Sequence, residues 1–168
     1  MPQAPARDSY PKIEVCLDDQ TLLLWKTANT RPLRYSVSTA LNGSGERNGS
    51  GCTPRGKHYV RAMIGTGRPL NTVFVGRRPT GEILTPELAA RYPERDWILT
   101  RILWLCGLEP GKNRLGSVDS FRRFIYIHGT PDTEPMGVPQ SHGCIRMRND
   151  QVVELFRQVR PGTPVDIT

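Results

Sequence analysis

The chain contains the stretch Ser141-His142-Gly143-Cys144-Ile145-Arg146-Met147, downstream of Ile127-His128-Gly129-Thr130. It places a thiol directly after a glycine, and two histidines, His128 and His142, could accept the thiol proton. An imidazole beside a thiol can generate the thiolate, which is the reactive species. Gly143 frees the backbone to turn sharply, so that amide N–H groups can converge beside the sulfur. The stretch therefore predicts a cysteine nucleophile.

A histidine in His-Gly-Thr, a loop over residues 131–140 and then Ser-His-Gly-Cys-Ile-Arg-Met resemble the active-site signature of the L,D-transpeptidase catalytic domain, the YkuD-like family. Weaker similarities lie at residues 36–39, 53–56 and 161–167, so the resemblance spans nearly the whole chain. It implies a β sandwich of mixed sheets with the active site at one end, under a lid. Residues 74–95 are less typical of the family, and we interpret them as an insertion that shapes the pocket.

The residue pattern independently favours a mainly β fold. Alternating or continuous apolar stretches bounded by turn residues predict strands at residues 13–17, 22–25, 33–39, 59–64, 73–75, 97–105, 124–127 and 165–167. Many short strands separated by turns are typical of a β sandwich or barrel. We expect a flexible N-terminal arm at residues 1–11 and a single catalytic domain at residues 12–168.

Two short helices interrupt the strand pattern. The first is predicted from Pro86 to Arg91, with Thr85 as the N-cap. The second is predicted over about residues 150–159, with Asn149 as the N-cap. Its apolar residues follow the i, i+3, i+4, i+7 spacing of a helix face that packs on a core: Val152, Leu155, Phe156 and Val159.

Composition limits the possible partners. The chain has 168 residues, a net charge of +7 and a sequence pI of about 9.6, with 37% hydrophobic and 23% charged residues. A basic surface attracts anions such as nucleic acids, anionic lipids or substrates with several carboxylates, or it is simply a solvated face. The sequence contains no basic-aromatic nucleic-acid module and no uninterrupted apolar span. We therefore expect that the protein binds neither nucleic acid nor membrane. We also expect a monomer.

The N-terminal residues lack the basic and apolar regions of a secretory signal peptide. We therefore expect a cytoplasmic protein, with a periplasmic location as the alternative if a leader has been removed. The four cysteines, at positions 16, 52, 106 and 144, form no regular disulfide framework.

The sequence offers two candidate cofactor sites and disfavours both. The segment from Gly51 to His58 nearly matches a phosphate-binding P-loop, but His58 replaces the magnesium-binding Ser or Thr and a strand pattern follows. A zinc site built from His58, His128, His142 and Cys144 lacks the usual paired ligand spacing, and a closed zinc site would occupy the nucleophile. The sequence therefore predicts neither a cofactor nor a metal.

The proposed catalytic roles follow the signature. Cys144 attacks a peptide carbonyl, and His128 acts as the base that later protonates the leaving amine. The resemblance implies that the backbone carbonyl of Gly129 orients the His128 ring. Backbone N–H groups of His142, Gly143 and Cys144 are expected to form the oxyanion hole. His142 also shapes the turn.

Substrate-binding residues are predicted around this centre. Arg146, two residues after the nucleophile, is the best candidate to hold a substrate carboxylate. Of the adjacent Arg122 and Arg123, at most one can face the pocket, and Arg123 is the candidate. Tyr126 shares a strand face with His128 and could line the cleft or belong to the core, and Ser141 could also contact the substrate.

The resemblance implies an enzyme acting on peptidoglycan stem peptides, between the diamino acid at position three and D-alanine at position four. Water as the acceptor makes it an L,D-carboxypeptidase, and a second stem makes it an L,D-transpeptidase. The sequence favours the carboxypeptidase, in muropeptide recycling. The alternatives are a transpeptidase that cross-links stems or exchanges D-amino acids and a muropeptide-binding module without activity. Carbapenem-type inhibitors are further candidate ligands.

Overall fold

The computed structural model describes residues 9–168, which form ten strands, two α-helices and a short 3-10 helix. The strands are β1 (Lys12–Cys16), β2 (Thr21–Trp25), β3 (Leu33–Ser36), β4 (Gly56–Ile64), β5 (Thr72–Val75), β6 (Arg78–Ile83), β7 (Ile98–Gly107), β8 (Tyr126–Gly129), β9 (Ile145–Met147) and β10 (Pro164–Ile167). The helices are α1 (Pro86–Arg91) and α2 (Asn149–Gln158), and the 3-10 helix is Gly116–Val118. Most of the predicted arm, residues 1–8, lies outside the described residues, so the arm stays a prediction.

The strands form one mixed sheet in the order β3-β2-β1-β10-β4-β7-β5-β6, and β8 and β9 extend it from β7. The β1–β10 and β8–β9 pairs are parallel, and the other pairs are antiparallel. The mainly β class and the mixed strand pairing predicted from the sequence are confirmed. The expected separate sheets are joined, because β7 pairs with β4, β5 and β8.

The structure contains two strands that the sequence does not predict, β6 and β9, and β8 begins later in the chain than predicted. Within residues 9–168, β6 pairs only with β5, and it carries Pro79 and Gly81, which weaken a strand signal and are tolerated at a sheet edge. β9 has only three residues and depends on its pairing with β8. The strand predicted from Phe124 begins at Tyr126, since Phe124 has a φ of 57° and lies in a turn.

Helix α1 has the predicted bounds, and the Oγ1 of Thr85 accepts a hydrogen bond from the Leu88 N–H at 3.2 Å. The predicted cap of α2 is wrong, because Arg148 occupies the N-cap position and its side chain makes no capping bond. The Asn149 side chain is buried instead: its amide donates to the Thr130 carbonyl at 2.8 Å. That bond ties the start of α2 to the end of β8.

The main core lies between the sheet and α2. Three of the four predicted core residues of α2, namely Val152, Leu155 and Val159, are buried in it, and Phe156 is partly buried against it. Ile127, Ile145 and Met147 of β8 and β9 enter the same core and are fully buried. No helix within residues 9–168 is long and apolar enough to cross a membrane.

His58 on β4 is a buried neutral histidine. Its Nδ1 lies 3.0 Å from the Gly56 carbonyl oxygen and its Nε2 lies 2.8 Å from the Ser120 hydroxyl oxygen. A carbonyl only accepts hydrogen bonds, so Nδ1 carries the proton and Nε2 accepts from Ser120. Burial lowers the pKa of His58 from 6.5 to about 4, although the Gly56 carbonyl and nearby carboxylates act in the opposite direction.

We predict that the protein loses stability in acid because of His58. Between pH 6.5 and about 4 the unfolded chain binds a proton that the folded chain does not. The contribution of neutral His58 to the free energy of unfolding is therefore fully present above about pH 6.5. It falls toward pH 4 by about 3 kcal/mol, at ~1.4 kcal/mol per unit of pKa. Urea unfolding of the wild type and His58→Gln across this range measures the effect. The variant should show a shallower pH dependence, and equal dependences would contradict the assignment.

Candidate active site

The parallel pairing of β8 with β9 assembles the site. Ile127 pairs with Ile145, and His128 pairs with Arg146. Side chains alternate across a strand, so the isoleucines enter the core while His128 and Arg146 project from the opposite face. Cys144 precedes β9 on the same face as these two and packs in a cluster with Tyr126. The hydrophobic alternation of two short strands thus fixes which face carries the chemistry.

A cavity of about 390 Å³ opens on this face. Six of the residues predicted from the sequence line it: Tyr126, His128, Ser141, His142, Cys144 and Arg146. Gly129 and Gly143 do not line it, and each bonds a lining residue through its backbone: the Gly129 carbonyl to His128 Nδ1 and the Gly143 N–H to Ser141 Oγ. Arg123 does not line the cavity. It donates to the carbonyls of Gly45 and Cys52 at 3.2 and 2.7 Å and to the Ser50 hydroxyl at 3.3 Å, and so holds the 45–52 loop.

His128 is buried and has a defined tautomer. Its Nδ1 lies 2.6 Å from the Gly129 carbonyl oxygen. The carbonyl cannot donate, so Nδ1 carries the proton and Nε2 presents a lone pair. Burial lowers the pKa of His128, while the Gly129 carbonyl and Asp96 partly oppose that shift. His128 is therefore a neutral imidazole that can accept a proton at Nε2.

Cys144 is held as a thiol. Its Sγ donates to the Phe124 carbonyl at 3.3 Å and accepts from the Tyr126 N–H at 3.4 Å. Burial raises the pKa of Cys144 to about 12, and Asp96 adds to the rise, while the Tyr126 N–H and the charges of Arg146 and Arg123 oppose it. The pair is thus a neutral thiol and a neutral imidazole rather than a preformed thiolate.

The turn before Cys144 is fixed by two hydroxyl groups. Ser141 Oγ donates to the Cys144 carbonyl at 2.6 Å and accepts from the Gly143 N–H at 3.2 Å. Thr53 Oγ1 donates to the Gly143 carbonyl at 2.9 Å. Gly143 has a φ of 133°, and a Cβ there would lie 3.2 Å from the Cys52 carbonyl oxygen, so the turn requires glycine.

This arrangement bears on the predicted oxyanion hole. The Gly143 N–H is already bonded to Ser141, so an oxyanion would rely on the N–H groups of His142 and Cys144 unless Ser141 releases it. The hole itself stays a prediction.

Arg146 is already paired. Its Nη2 lies 3.0 Å from Asp96 Oδ1, and its Nη1 lies 3.7 Å from Glu134 Oε2 and 3.3 Å from the Gln140 carbonyl oxygen. Its side chain is 9% exposed, so two carboxylates neutralise a largely buried charge. The predicted grip on a substrate carboxylate would have to compete with both.

Asp96 is a site residue that the sequence analysis missed. It lines the cavity, and its second oxygen lies 3.4 Å from His142 Nδ1. Burial acts to raise the pKa of Asp96, but His128, Arg146 and His142 together lower it below its ordinary value, so Asp96 carries a negative charge. It stands just before β7, outside any motif, so the sequence offers no signal for it.

The β5–β6 hairpin supplies a second group of missed residues. Phe74, Gly76 and Arg77 also line the cavity. These residues fall in the segment interpreted from the sequence as a pocket-shaping insertion. The interpretation identified the segment but none of its individual residues.

The residues considered for a zinc site do not all meet. His58 is bonded to Ser120 and Gly56 on β4 and does not line the cavity with His128, His142 and Cys144. Within residues 9–168, no group of three or more His, Cys, Asp or Glu side chains is placed to hold a metal ion.

The sequence matches the family model of the L,D-transpeptidase catalytic domain, YkuD, over residues 11–167. The chain belongs to this family. The putative L,D-transpeptidase YqjB of Bacillus subtilis (strain 168) is 52% identical over 46 residues, which are 27% of this chain and 26% of YqjB. The alignment thus spans about a quarter of that relative's length.

Solved structures share the fold. The L,D-transpeptidase of Xylanimonas cellulosilytica DSM 15894 is 19% identical with a TM-score of 0.54, covering 98% of this chain and 63% of that chain. The L,D-transpeptidase LdtMt1 in complex with imipenem is 17% identical with a TM-score of 0.53, covering 93% of this chain and 57% of that one. At these identities the likeness establishes the fold alone.

Proposed function

We propose that the chain is a cysteine enzyme that cleaves the L,D bond between the diamino acid at position three and D-alanine at position four of peptidoglycan stem tetrapeptides. The observation that carries the proposal is the placement of Cys144 and His128 in one cavity, with the proton of His128 on Nδ1. The family's description, L,D-transpeptidase catalytic domain, supports a reaction at a peptide bond between an L- and a D-centre.

The first half-reaction forms an acyl-enzyme. Sγ of Cys144 attacks the carbonyl carbon of the diamino acid, and the thiol proton moves to Nε2 of His128. Because both groups are neutral at rest, proton transfer accompanies the attack. The carbonyl electrons become an oxyanion held by backbone N–H groups. His128 then protonates the nitrogen of D-alanine, the amide bond breaks, and a thioester remains on Cys144.

The second half-reaction releases the tripeptide. Water gives its proton to His128 and attacks the thioester, and the Cys144 sulfur leaves and regains the proton. An amine from a second stem would follow the same steps and yield a cross-link. We favour water, because a cavity of about 390 Å³ is near the lower end of ligand-site volumes and the acyl chain would fill much of it. A cavity of this volume suits the short stem peptides of muropeptide recycling.

We predict that the purified protein removes one D-alanine from a disaccharide tetrapeptide without forming a dimer, as mass spectrometry would show. Cys144→Ala should lower the rate by at least about 10³-fold, because the nucleophile is lost while the core is untouched. A cross-linked dimer would make the chain a transpeptidase. Normal turnover by Cys144→Ala would refute the mechanism, and tight binding without turnover by the wild type would indicate a binding module.

We also propose that carbapenems acylate Cys144, by analogy with the relative in complex with imipenem. Intact-mass spectrometry after incubation with imipenem should show a single adduct on the wild type and none on Cys144→Ala. Cys52 is the matched internal control, since it is a partly exposed thiol outside the cavity. An unmodified wild type would contradict the presence of an accessible nucleophile.

A further inference from the structure

Arg77 lies at an unusual backbone position. Val75 pairs with Arg78, so Gly76 and Arg77 form a two-residue hairpin turn between β5 and β6. Their φ angles are 56° and 64°, both in the left-handed region of a type I′ turn. Glycine is the favoured residue at the second central position, and a non-glycine residue there costs about 1 kcal/mol or more. The turn geometry alone therefore does not explain an arginine.

The Arg77 side chain is held by two aromatic rings and a tyrosine hydroxyl. Its guanidinium carbon lies 4.6 Å from the Trp104 ring centroid and 5.0 Å from that of Phe124. Its Nη1 donates to the Tyr126 hydroxyl at 3.2 Å. Stacking on aromatic faces leaves the in-plane N–H donors of an arginine available. The guanidinium is thus fixed at the cavity wall, and its other N–H groups are available to a ligand.

Tyr126 connects Arg77 to the nucleophile. Its backbone N–H donates to Cys144 Sγ, and its hydroxyl accepts from Arg77. The guanidinium therefore stands one tyrosine side chain away from the sulfur, on the same cavity. Arg77 is therefore placed to contact a part of the substrate beside the bond that meets Cys144.

The two cavity arginines differ in charge compensation. Arg146 is paired with Asp96 at 3.0 Å and with Glu134 at 3.7 Å. Among residues 9–168, no Asp or Glu oxygen lies within 4.0 Å of an Arg77 nitrogen. A carboxylate entering the cavity thus finds an uncompensated guanidinium at Arg77 and a neutralised one at Arg146.

We propose that Arg77, rather than Arg146, binds a free carboxylate of the stem peptide. The inference rests on the proposed function for its substrate class. The carboxylate is either the terminal carboxylate of D-alanine or one on the side chain of the diamino acid. Two parallel N–H···O bonds from the guanidinium plane would hold it and set the position of the neighbouring peptide carbonyl over Cys144.

The test compares three tetrapeptides: the free acid, the form with an amidated diamino-acid side chain, and the form with an amidated D-alanine. Wild-type kcat/KM should fall about 10- to 100-fold for whichever amide removes the bound carboxylate. Arg77→Met, which keeps an apolar chain over the rings, should lose the same factor on the free acid, mainly through KM. The kcat/KM of Arg77→Met for that amide should differ little from the wild-type value. The ratio of its kcat/KM for the free acid to that for the amide therefore approaches one. The amide for which Arg77→Met loses the wild-type preference for the free acid identifies the carboxylate that Arg77 binds.

Two further variants separate recognition from folding and from net charge. Arg77→Gly removes the backbone strain of the left-handed position together with the ring contacts, so it should fold and lose the same discrimination. Arg78→Met makes an equal charge change at the next residue, which is exposed and outside the cavity, and should leave all three rates unchanged. Equal losses on all substrates in Arg77→Met, or the same change in Arg78→Met, would overturn the proposal.

A binding measurement keeps this inference separate from the proposed chemistry. In the Cys144→Ala background, tetrapeptide binding followed by calorimetry should weaken about 10- to 100-fold when Arg77→Met is added. A wild type that releases no alanine while this difference persists would refute the proposed reaction only. Equal binding with and without Arg77→Met would refute the role of Arg77, whatever the wild type catalyses.

Discussion

The register between β8 and β9 is the constraint on which the site depends. Pairing Ile127 with Ile145 sends these side chains into the core and turns His128 and Arg146 toward the cavity. A slip of β9 by one residue would turn Ile145 out of the core and bury the charged Arg146 in it. The free energy of core burial therefore holds the proposed catalytic side chains of Cys144 and His128 in place, although neither belongs to the main core.

The same burial sets the protonation states of Cys144 and His128, the proposed nucleophile and base. Removing water raises the pKa of the Cys144 thiol and lowers the pKa of His128, so both rest uncharged. Charge is stored beside them instead, in the Asp96–Arg146 pair and its link to His142. The site thus holds a neutral thiol and a neutral imidazole next to a fixed ion pair. The Gly129 carbonyl selects the tautomer that leaves Nε2 of His128 without a proton.

The sequence predicted the centre of the site better than its wall. Cys144, His128 and the glycines lie in one motif, and their local geometry follows from short-range hydrogen bonds and turn chemistry. Asp96 and Arg77 come from segments that carry no motif and reach the cavity only through the pairing of β7 with β8 and the folding of the β5–β6 hairpin. Asn149 illustrates the same limit, because its local pattern predicts a helix cap while tertiary bonds to Thr130 and Thr100 use its side chain instead.

The proposed reaction depends on His128 being a neutral base with its proton on Nδ1. Nitrogen-15 NMR of the histidine-labelled protein at pH 7, with His128→Gln for assignment, tests this directly. We predict a protonated Nδ1 and an unprotonated Nε2 for His128, unchanged as the pH is lowered through 6.5, since burial lowers the pKa of His128 from that value. An imidazolium at pH 7, or a proton on Nε2 in the neutral form, would contradict the account.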